Sequence, residues 1–523
     1  MRGPGAALRR SADWRLPAAC AAGAGLNLAF APFSWWPVAV LAPAALFALI
    51  RGLPPRRAAM AGAAFGAGLF GFGTYWLYTC LHVFGLVPVW LTVVLQGVLI
   101  ALMSAYSAVC CYVANRFWPL SGMTRHWLVL PGLWVLLEWL RGWALSGFPW
   151  LSLGYAFIDS PLAGWAPVLG VYGVTWAAAY AAVGLSVVMA PGVTVSVSGR
   201  PDADRLAALA VIMGVFLAPA LGSVHAWTHA AGGRIPVAAV QGAVPQDQKW
   251  QLENRDATMA RYAHLTDQAW GARLILWPEA ALPVLANEIP DYLDNLRAAG
   301  RAHHADFAIG LVDFQPMTRQ YFNGLLVLSE TGGGWYYKRH LVPFGEYFPV
   351  PRFVRSWLRL MSLPYDDFTP GAERQPVLSA AGQTLGVTIC YEDAFGSAQL
   401  EILRDATLLI NVTNNAWFGD STAPHQHLQI ARMRALEAGR FLIFASNDGI
   451  TAAIGAQGEV VARLPQFKEA VLRADVQPLT GFTPYARFGN APVVLGALGL
   501  LGLAVWRRIP KRTLRLHRFP NDI

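Results

Sequence analysis

Charged residues are scarce in this chain: they make up only 14% of its 523 residues, whereas 55% are hydrophobic. Soluble globular proteins carry about 25% charged residues, so the composition argues against a wholly soluble protein. Most of the acidic residues lie between about residues 225 and 478, and the flanking segments consist of long apolar runs. The composition therefore predicts a membrane protein that carries one soluble domain.

Apolar runs of roughly 20 residues, the length that crosses a bilayer as a helix, lie mostly before residue 224. We predict about seven spans there, at 16–32, 36–50, 58–80, 87–114, 127–144, 164–190 and 205–223, and one more at 491–506. The chain thus divides into an N-terminal membrane domain at 1–224, a soluble domain at 225–480, and a C-terminal helix with a basic tail at 481–523.

Acidic residues are outnumbered by Lys and Arg, 31 to 40, which gives a net charge of +9. Such a surplus can indicate a nucleic-acid partner, but here much of it lies at the ends and in alternate short loops, where Lys and Arg mark the cytoplasmic side. These residues are Arg2, Arg9, Arg10, Arg15, Arg51, Arg56, Arg57, Arg116, Arg125, Arg200, Arg205, Arg507, Arg508, Lys511, Arg512, Arg515 and Arg518. We therefore predict no nucleic-acid partner, two cytoplasmic termini and, in a bacterium, an inner-membrane protein with a periplasmic soluble domain.

Two features of the membrane segments have ordinary structural explanations. The string from Gly66 to Gly71 fits a dinucleotide-binding pattern, but it lies inside an apolar span, where Gly62 and Gly66 at GxxxG spacing favour close helix packing. Glu138 and Arg141 near the end of the fifth span are spaced to pair with each other. Ionisable residues at such positions are also functional candidates.

Cysteine is scarce as well, and four of the five lie in apolar stretches, where a free cysteine packs like a small hydrophobe. Cys390 alone lies in the soluble segment, at the end of the apolar run Gly-Val-Thr-Ile-Cys-Tyr-Glu-Asp. Such a run is typical of a buried strand that delivers a nucleophile to a turn, although a core cysteine would give the same pattern. The segment has no second cysteine with which to form a disulfide.

Short β-branched runs in the soluble segment alternate with amphipathic stretches such as 288–305 and 426–440, which predicts an α/β fold with helices covering sheets. Polar residues follow two more of these runs: Glu279 after Trp-Pro, and Lys338 after Trp-Tyr-Tyr, with Glu346 a few residues on. A partly desolvated carboxylate can act as a base for a thiol, and a cation can stabilise an oxyanion.

A histidine could also activate the thiol, and His340 or His427 would then be the partner. The pair His425 and His427 alone makes a weak metal site, and hydrogen bonding is the favoured role.

These three strings, Trp-Pro-Glu279, Lys338-Arg-His-Leu-Val-Pro-Phe-Gly-Glu346 and Cys390-Tyr-Glu-Asp, resemble the Glu-Lys-Cys triad of the nitrilase (carbon-nitrogen hydrolase) superfamily. Further strings resemble its membrane-bound branch, the apolipoprotein N-acyltransferases, over essentially the whole chain. They are Gly147-Phe-Pro-Trp150, Asn414-Asn-Ala-Trp417-Phe-Gly, Pro424-His-Gln-His427, Arg434-Ala-Leu-Glu437 and Asn447-Asp-Gly449.

The resemblance implies a four-layer αββα sandwich beside a multi-pass α-helical membrane domain, and a two-step acyl transfer that needs no metal or cofactor. Cys390 would attack an sn-1 acyl ester of a phospholipid, phosphatidylethanolamine in the first place, and form a thioester. Glu279 would take the proton, Lys338 with N–H groups near Tyr391 would hold the oxyanion, and Glu346 would orient Lys338 or Glu279.

In the second step, the resemblance implies that the α-amine of a diacylglyceryl-cysteine on an apolipoprotein takes the acyl chain, which is the last step of bacterial lipoprotein maturation. Trp250, Tyr391 and Glu392 would bind substrate or support the site. Trp250 could equally belong to the core, and Glu392 could be a structural hydrogen-bonder.

Two alternatives stay open in the sequence. A membrane-tethered carbon-nitrogen hydrolase, an amidase or nitrilase, would use the same triad with water as the acceptor. Phe353, Trp357 and Leu360 share one face of a helical pattern, which fits either an interfacial helix or a surface helix packed on its own domain.

Overall fold

The computed structural model describes residues 14–118, 124–189, 201–222, 227–330, 333–347 and 367–508. Its first part is helical: α1 (Arg15–Leu26), α2 (Val38–Leu49), α3 (Pro55–Gly73), α4 (Val89–Phe117), α5 (Leu130–Arg141), α6 (Ala166–Val188) and α7 (Pro201–Gly222). The predicted interfacial helix at 353–360 lies outside the described residues.

Three of the described helices are long and apolar enough to cross a bilayer: α4, α7, and α6 with the turn before it (Pro161–Val188). The first predicted span is shorter than expected, because α1 ends at Leu26 and a 3₁₀ turn follows. The ends of the third and fifth predicted spans carry π-helical turns at Thr79–Phe84 and Thr124–Val129. Helix α6 is the most buried of the three and packs against α2, α5 and α7 at the centre of the bundle.

Glycines let α3 approach α4 closely, as the GxxxG spacing predicts. A Cβ atom added at Gly66 would lie 2.6 Å from the Cα of Ser104, and one at Gly62 would clash with the backbone of Ser107. A side chain at either position would force the two helices apart. The glycine-rich string is therefore explained by helix packing.

The second part contains fourteen described strands: β1 (Thr228–Ala230), β2 (Ile235–Gln241), β3 (Leu274–Trp277), β4 (Asp306–Gln315), β5 (Gln320–Leu328), β6 (Gly334–Tyr337), β7 (Leu378–Ala380), β8 (Gln383–Ile389), β9 (Leu408–Thr413), β10 (Leu442–Ser446), β11 (Ala452–Ile454), β12 (Val460–Arg463), β13 (Ala470–Val476) and β14 (Leu479–Gly481). Its helices are α8 (Arg255–Asp267), α9 (Pro290–Ala302), α10 (Gly396–Gln399), α11 (Ala423–Ala438) and α12 (Pro484–Phe488), and α13 (Ala491–Trp506) follows. The sequence contains seven short apolar runs that predict strands, and each falls within a strand to within one residue: 237–240, 274–277, 307–312, 325–328, 386–389, 408–412 and 441–445.

Two six-stranded sheets form the centre of this part, in the orders β13-β2-β3-β4-β5-β6 and β12-β11-β10-β9-β8-β7. Their inner faces share one apolar core, in which Leu276 of β3 and Ile389 of β8 are fully buried. Helices α8 and α9 cover the outer face of the first sheet, and α11 covers that of the second. The predicted αββα sandwich is confirmed.

Polar strand ends from both sheets meet at one edge of the sandwich. Strands β2, β3 and β4 run parallel, as do β8, β9 and β10. The carboxyl ends of the two groups lie at the same edge of the sandwich, because the N–H of Asn414, after β9, donates to Glu279, after β3. Cys390 follows β8, which lies beside β9. Polar residues at this edge of an α/β fold are well placed to form a site.

The chain enters and leaves the sandwich through a two-stranded ribbon, in which Thr228 of β1 pairs with Gly481 of β14. Helix α7 precedes this ribbon and α13 follows it. The sandwich is thus connected to the helical part at two neighbouring points.

A loop of the helical part, residues 147–153, contacts the sandwich beside Cys390. Arg141 donates to the carbonyl oxygen of Trp150, and Glu138 accepts from the N–H of Leu153. Trp150 in turn stacks on Tyr391, with ring centroids 6.1 Å apart. The two ionisable residues of the fifth span therefore have a structural role, because both hold this loop.

Candidate active site

Cys390 lies directly after β8, at the start of a 3₁₀ turn (Cys390–Ala394). Its φ angle is +53°, a left-handed conformation that costs a residue with a Cβ atom energy and is concentrated at functional sites. The side chain is partly buried, and Thr413 at the end of β9 lies within hydrogen-bonding range of the thiol. The strand therefore ends in a sharp turn at the residue expected to be the nucleophile.

The three residues of the expected triad lie together at this edge. Lys338 follows β6, and its Nζ lies 3.3 Å from Oε1 of Glu279 and 3.0 Å from Oε1 of Glu346. Its side chain is 1% exposed. A buried ammonium held between two carboxylates has a fixed position, which is what stabilisation of a developing oxyanion needs.

Two asparagines that the triad strings do not include hold Glu279 in place. Nδ2 of Asn323, on β5, donates to Oε1 of Glu279 at 2.7 Å and to Oε1 of Glu346 at 2.8 Å. The backbone N–H of Asn414 donates to Oε2 of Glu279 at 2.9 Å. The sequence signal for Asn323 is a polar residue inside an otherwise apolar strand, which our sequence reasoning missed.

Glycine at position 310 lets the backbone of Glu279 lie close to β4. A Cβ atom at Gly310 would clash with the carbonyl oxygen of Pro278 and lie 2.6 Å from the Cα of Glu279. Both contacts are with backbone, which cannot turn away as a flexible side chain could. The placement of the carboxylate therefore depends on the absence of a side chain at Gly310.

The electrostatics of the site keep Glu279 ionised and the thiol protonated. Burial alone would raise the pKa of Glu279, but Lys338, Asn323, Lys249 and the Asn414 N–H outweigh it and hold that pKa below its usual value. Burial and the neighbouring Glu279 raise the pKa of the Cys390 thiol, although Lys338 opposes them. A carboxylate beside a neutral thiol is the starting state for general-base activation.

Lys338 is a cation throughout the physiological pH range. Burial alone would lower its pKa, but the carboxylates of Glu346 and Glu279 raise it well above the usual value. Lys338 is therefore suited to stabilise negative charge and not to act as a base.

Glu392 is fully engaged in hydrogen bonds within the protein, as the structural alternative predicts. Its Oε1 accepts from the N–H of Arg339 at 2.7 Å, and its Oε2 accepts from the N–H of Ile389 at 2.8 Å. It thereby ties the turn after Lys338 to the strand that ends at Cys390. These contacts favour a supporting role for Glu392, which stays a prediction.

Tyr391 follows Cys390 directly in the chain, and Trp250 follows Lys249. The hydroxyl of Tyr391 donates to the carbonyl oxygen of Gly147 at 3.3 Å, and its ring packs within the apolar cluster of the helical part. Trp250 is 38% exposed, so it is not a core residue. The expectation that these two side chains bind substrate stays a prediction.

The ring contacts of the two candidate histidines are with groups other than the thiol in the described part of the chain. The Nδ1 of His427 lies 2.9 Å from Oδ1 of Asn415, and its Nε2 lies 3.0 Å from Oδ1 of Asp393. His340 packs on Phe395, with ring centroids 3.7 Å apart. The hydrogen-bonding role predicted for His427 is confirmed, and the role of Glu279 as the base stays a prediction.

No group of three or more His, Cys, Asp or Glu side chains suited to a metal ion occurs among the described residues.

Sequence comparison relates both parts of the chain to known proteins. Residues 22–184 match the profile of the apolipoprotein N-acyltransferase N-terminal domain, and residues 236–485 match that of carbon-nitrogen hydrolases. An apolipoprotein N-acyltransferase from Methylococcus capsulatus is 40% identical over 92% of this chain and 94% of its own length. The one from Vibrio parahaemolyticus is 37% identical over 94% of this chain and 96% of its own length. The one from Pseudomonas putida is 38% identical over 93% of this chain and 95% of its own length.

Proposed function

The chain belongs to the apolipoprotein N-acyltransferase family, and from that premise we propose that Cys390, Glu279 and Lys338 carry out acyl transfer in two steps through a thioester. The family makes it an enzyme of the bacterial inner membrane that acylates lipoproteins. The observation that carries the proposal is the buried Lys338 ammonium, held 3.3 Å from Glu279 and 3.0 Å from Glu346 at the edge where Cys390 turns outward. Glu346 acts on Lys338 by fixing its position.

In the first step the sulfur of Cys390 attacks the carbonyl carbon of a phospholipid acyl ester. Glu279 takes the thiol proton, and Lys338 with a backbone N–H near Tyr391 stabilises the oxyanion. The carbon–oxygen bond of the ester then breaks, and Glu279 returns the proton to the leaving oxygen. The products are a thioester on Cys390 and a lysophospholipid.

In the second step the free α-amine of a diacylglyceryl-cysteine attacks the thioester carbonyl. Glu279 accepts the proton that the amine loses, the carbon–sulfur bond breaks, and the proton passes to the thiolate of Cys390. The amide product leaves with the acyl chain. The same three side chains thus serve both steps, and the resting enzyme is regenerated.

We expect the purified enzyme, incubated with a phospholipid of defined chains, to gain the mass of one acyl group on Cys390. The adduct should persist for many minutes in buffer and disappear when a diacylglyceryl peptide is supplied, because the transfer needs an amine acceptor. Intact-mass spectrometry with hydroxylamine treatment measures both steps. If turnover occurs without any adduct, the two-step proposal is wrong, and if water removes the adduct as fast as the peptide does, the hydrolase alternative is favoured.

We propose phosphatidylethanolamine as the preferred donor, since the family resemblance implies it. The rate of adduct formation on phosphatidylethanolamine, compared with that on phosphatidylglycerol of the same chains, tests this preference. Equal rates would contradict it.

We also propose that the sandwich, taken as residues 225–480, faces the periplasm and that both termini are cytoplasmic. Contacts between arginines at four helix ends support the placement of these ends on one side of the membrane. Arg15 donates to the carbonyl oxygen of Arg51, and Arg116 and Arg508 both lie over the ring of Phe117. Basic residues in short loops stay on the cytoplasmic side. The opposite end of α3 leads to Tyr75, whose hydroxyl accepts from the N–H of Thr422 on the sandwich.

A labelling experiment on the full chain tests this orientation. Met317 is 97% exposed, so a Met317→Cys variant should react with a membrane-impermeant maleimide on intact spheroplasts. An Arg508→Cys variant should react only after the membrane is permeabilised. The reverse pattern would place the sandwich in the cytoplasm.

A further inference from the structure

Lys249 is a buried cation to which the triad assigns no role. The residue is 0% exposed, and lysine is almost never fully buried unless it is paired. Its Nζ donates to the backbone carbonyl oxygen of Glu279 at 3.3 Å. It comes from the loop after β2, so it approaches the base from a different strand end than Lys338 does.

The carbonyl that Lys249 contacts belongs to a strained turn. Ala280, the next residue, has a φ angle of +45°, which is unfavourable for a residue with a Cβ atom. The N–H of Ala281 donates to the carbonyl oxygen of Gly310 at 2.8 Å and fixes the other side of the turn. A charge-assisted hydrogen bond to the Glu279 carbonyl stabilises the conformation that presents its carboxylate.

Asp448 supplies a nearby negative charge for Lys249. It is 7% exposed, and its Oδ1 has no hydrogen-bond partner among the described groups. The residue lines a cavity of about 290 Å³ with Gln246 and Phe467, large enough for water to reach the carboxylate. Burial lowers the pKa of Lys249 to about 8 although Glu279 and Asp448 oppose it, and burial raises that of Asp448 to about 6 although Lys249 opposes it. Both groups are therefore mainly ionised at pH 7.

We propose that Lys249 is a positioning residue for Glu279: it fixes the backbone turn that carries the carboxylate, and it is the second cation, after Lys338, that keeps this carboxylate ionised. Asp448 balances the charge of Lys249. The inference rests on the proposed role of Glu279 as the base.

Four groups set the charge around the Glu279 carboxylate. Lys338 and Lys249 are the cations, Glu346 faces it across Asn323, and Cys390 is the neutral thiol in the resting state. Removing the Lys249 charge takes away a group that favours the ionised carboxylate, so the pKa of Glu279 rises. Removing the Asp448 charge leaves the positive charge of Lys249 unbalanced, so the pKa of Glu279 falls.

The test is the rate of acyl-enzyme formation in a single turnover, measured against pH on the full-length enzyme. Lys249→Met should slow this step roughly tenfold to a hundredfold at pH 7 and move the acidic limb of the profile to higher pH. Lys249→Arg, which keeps the charge, should leave the limb where it is in the wild type. Asp448→Asn should not move the acidic limb to higher pH. Lys468→Met makes the same change at an exposed lysine and should alter neither the rate nor the position of the limb.

A purely structural role for Lys249 predicts a lower plateau with an unmoved limb, and that result would overturn the proposal. If Lys249→Met does not fold, Asp448→Asn decides: a limb moved to higher pH in that variant contradicts the assignment. Wild-type enzyme that forms no thioester overturns the proposed function as well. Wild-type enzyme that forms it, together with an unmoved limb in Lys249→Met, overturns only the role of Lys249.

Discussion

Replacing Cys390 by alanine is expected to abolish the acyl adduct and to lower lipoprotein acylation by about 10⁴-fold or more. The loss is this large because no other nucleophile at the site can form the covalent intermediate. Alanine is a small change for a partly buried side chain at the end of β8, so the unfolding temperature should shift by only a few degrees. Intact-mass spectrometry and a transfer assay with a diacylglyceryl peptide measure the two effects.

Cys390→Ser and Cys20→Ala are the matched controls for this prediction. A serine hydroxyl is far less acidic than a thiol, and the pKa of Glu279 is already below its usual value, so Glu279 cannot activate the hydroxyl efficiently. We expect Cys390→Ser to transfer almost nothing and to form no hydroxylamine-labile adduct. Cys20, in α1, should tolerate alanine with wild-type activity, and transfer that survives in Cys390→Ala would refute the nucleophile assignment.

Replacing Lys338 by methionine is expected to slow acyl-enzyme formation by about 10³-fold, the effect of losing a principal oxyanion donor. Methionine keeps most of the side-chain length. It leaves Glu279 and Glu346, which both accept from Asn323, without the cation that they share. An uncompensated buried charge costs about 3 kcal/mol of stability. Without the cation, the pKa of one of the two carboxyl groups rises. That group takes up a proton as the pH falls, so the cost in stability should shrink.

Single-turnover acylation and thermal unfolding between pH 5 and pH 8 test both parts of the Lys338 prediction. Lys468→Met makes the same change at an exposed position and should leave rate and stability unchanged. Acylation in Lys338→Met within tenfold of the wild-type rate would show that Lys338 does not hold the oxyanion. If the unfolding temperature of Lys338→Met, relative to that of the wild type, rose with pH, the charge argument would be wrong.

Local patterns predicted an α/β fold with helices covering sheets, and the family resemblance added the αββα sandwich and the triad. Cys390, Glu279 and Lys338 each follow an apolar run long enough to form a strand, but no run shows how the two sheets stack to bring these strand ends together. The strand bounds agree within a few residues; for example, the predicted run 274–277 is β3 itself. The membrane bundle was predicted less well, because hydropathy does not show that α1 stops at Leu26 or that π-helical turns extend α3 and precede α5.

Residues that support the site could not be predicted in this way. Asn323 and Lys249 lie 44 and 30 residues from Glu279 in sequence, and nothing local to either one shows that it reaches the carboxylate or its carbonyl. Gly310 has the same property, since its importance comes from a backbone that approaches it from another strand. Such contacts follow from the register of β3, β4 and β5, which short apolar runs leave undetermined.

The β1–β14 ribbon, joined to α7 on one side and to α13 on the other, limits how far the sandwich can rise or rotate above the lipid. The site therefore samples substrates at their density in the plane of the membrane, because both are anchored in the same surface. Reaction rates should then follow the mole fraction of substrate in that surface and not its amount per volume. In mixed micelles, adding inert detergent at constant total substrate would slow the enzyme by surface dilution alone.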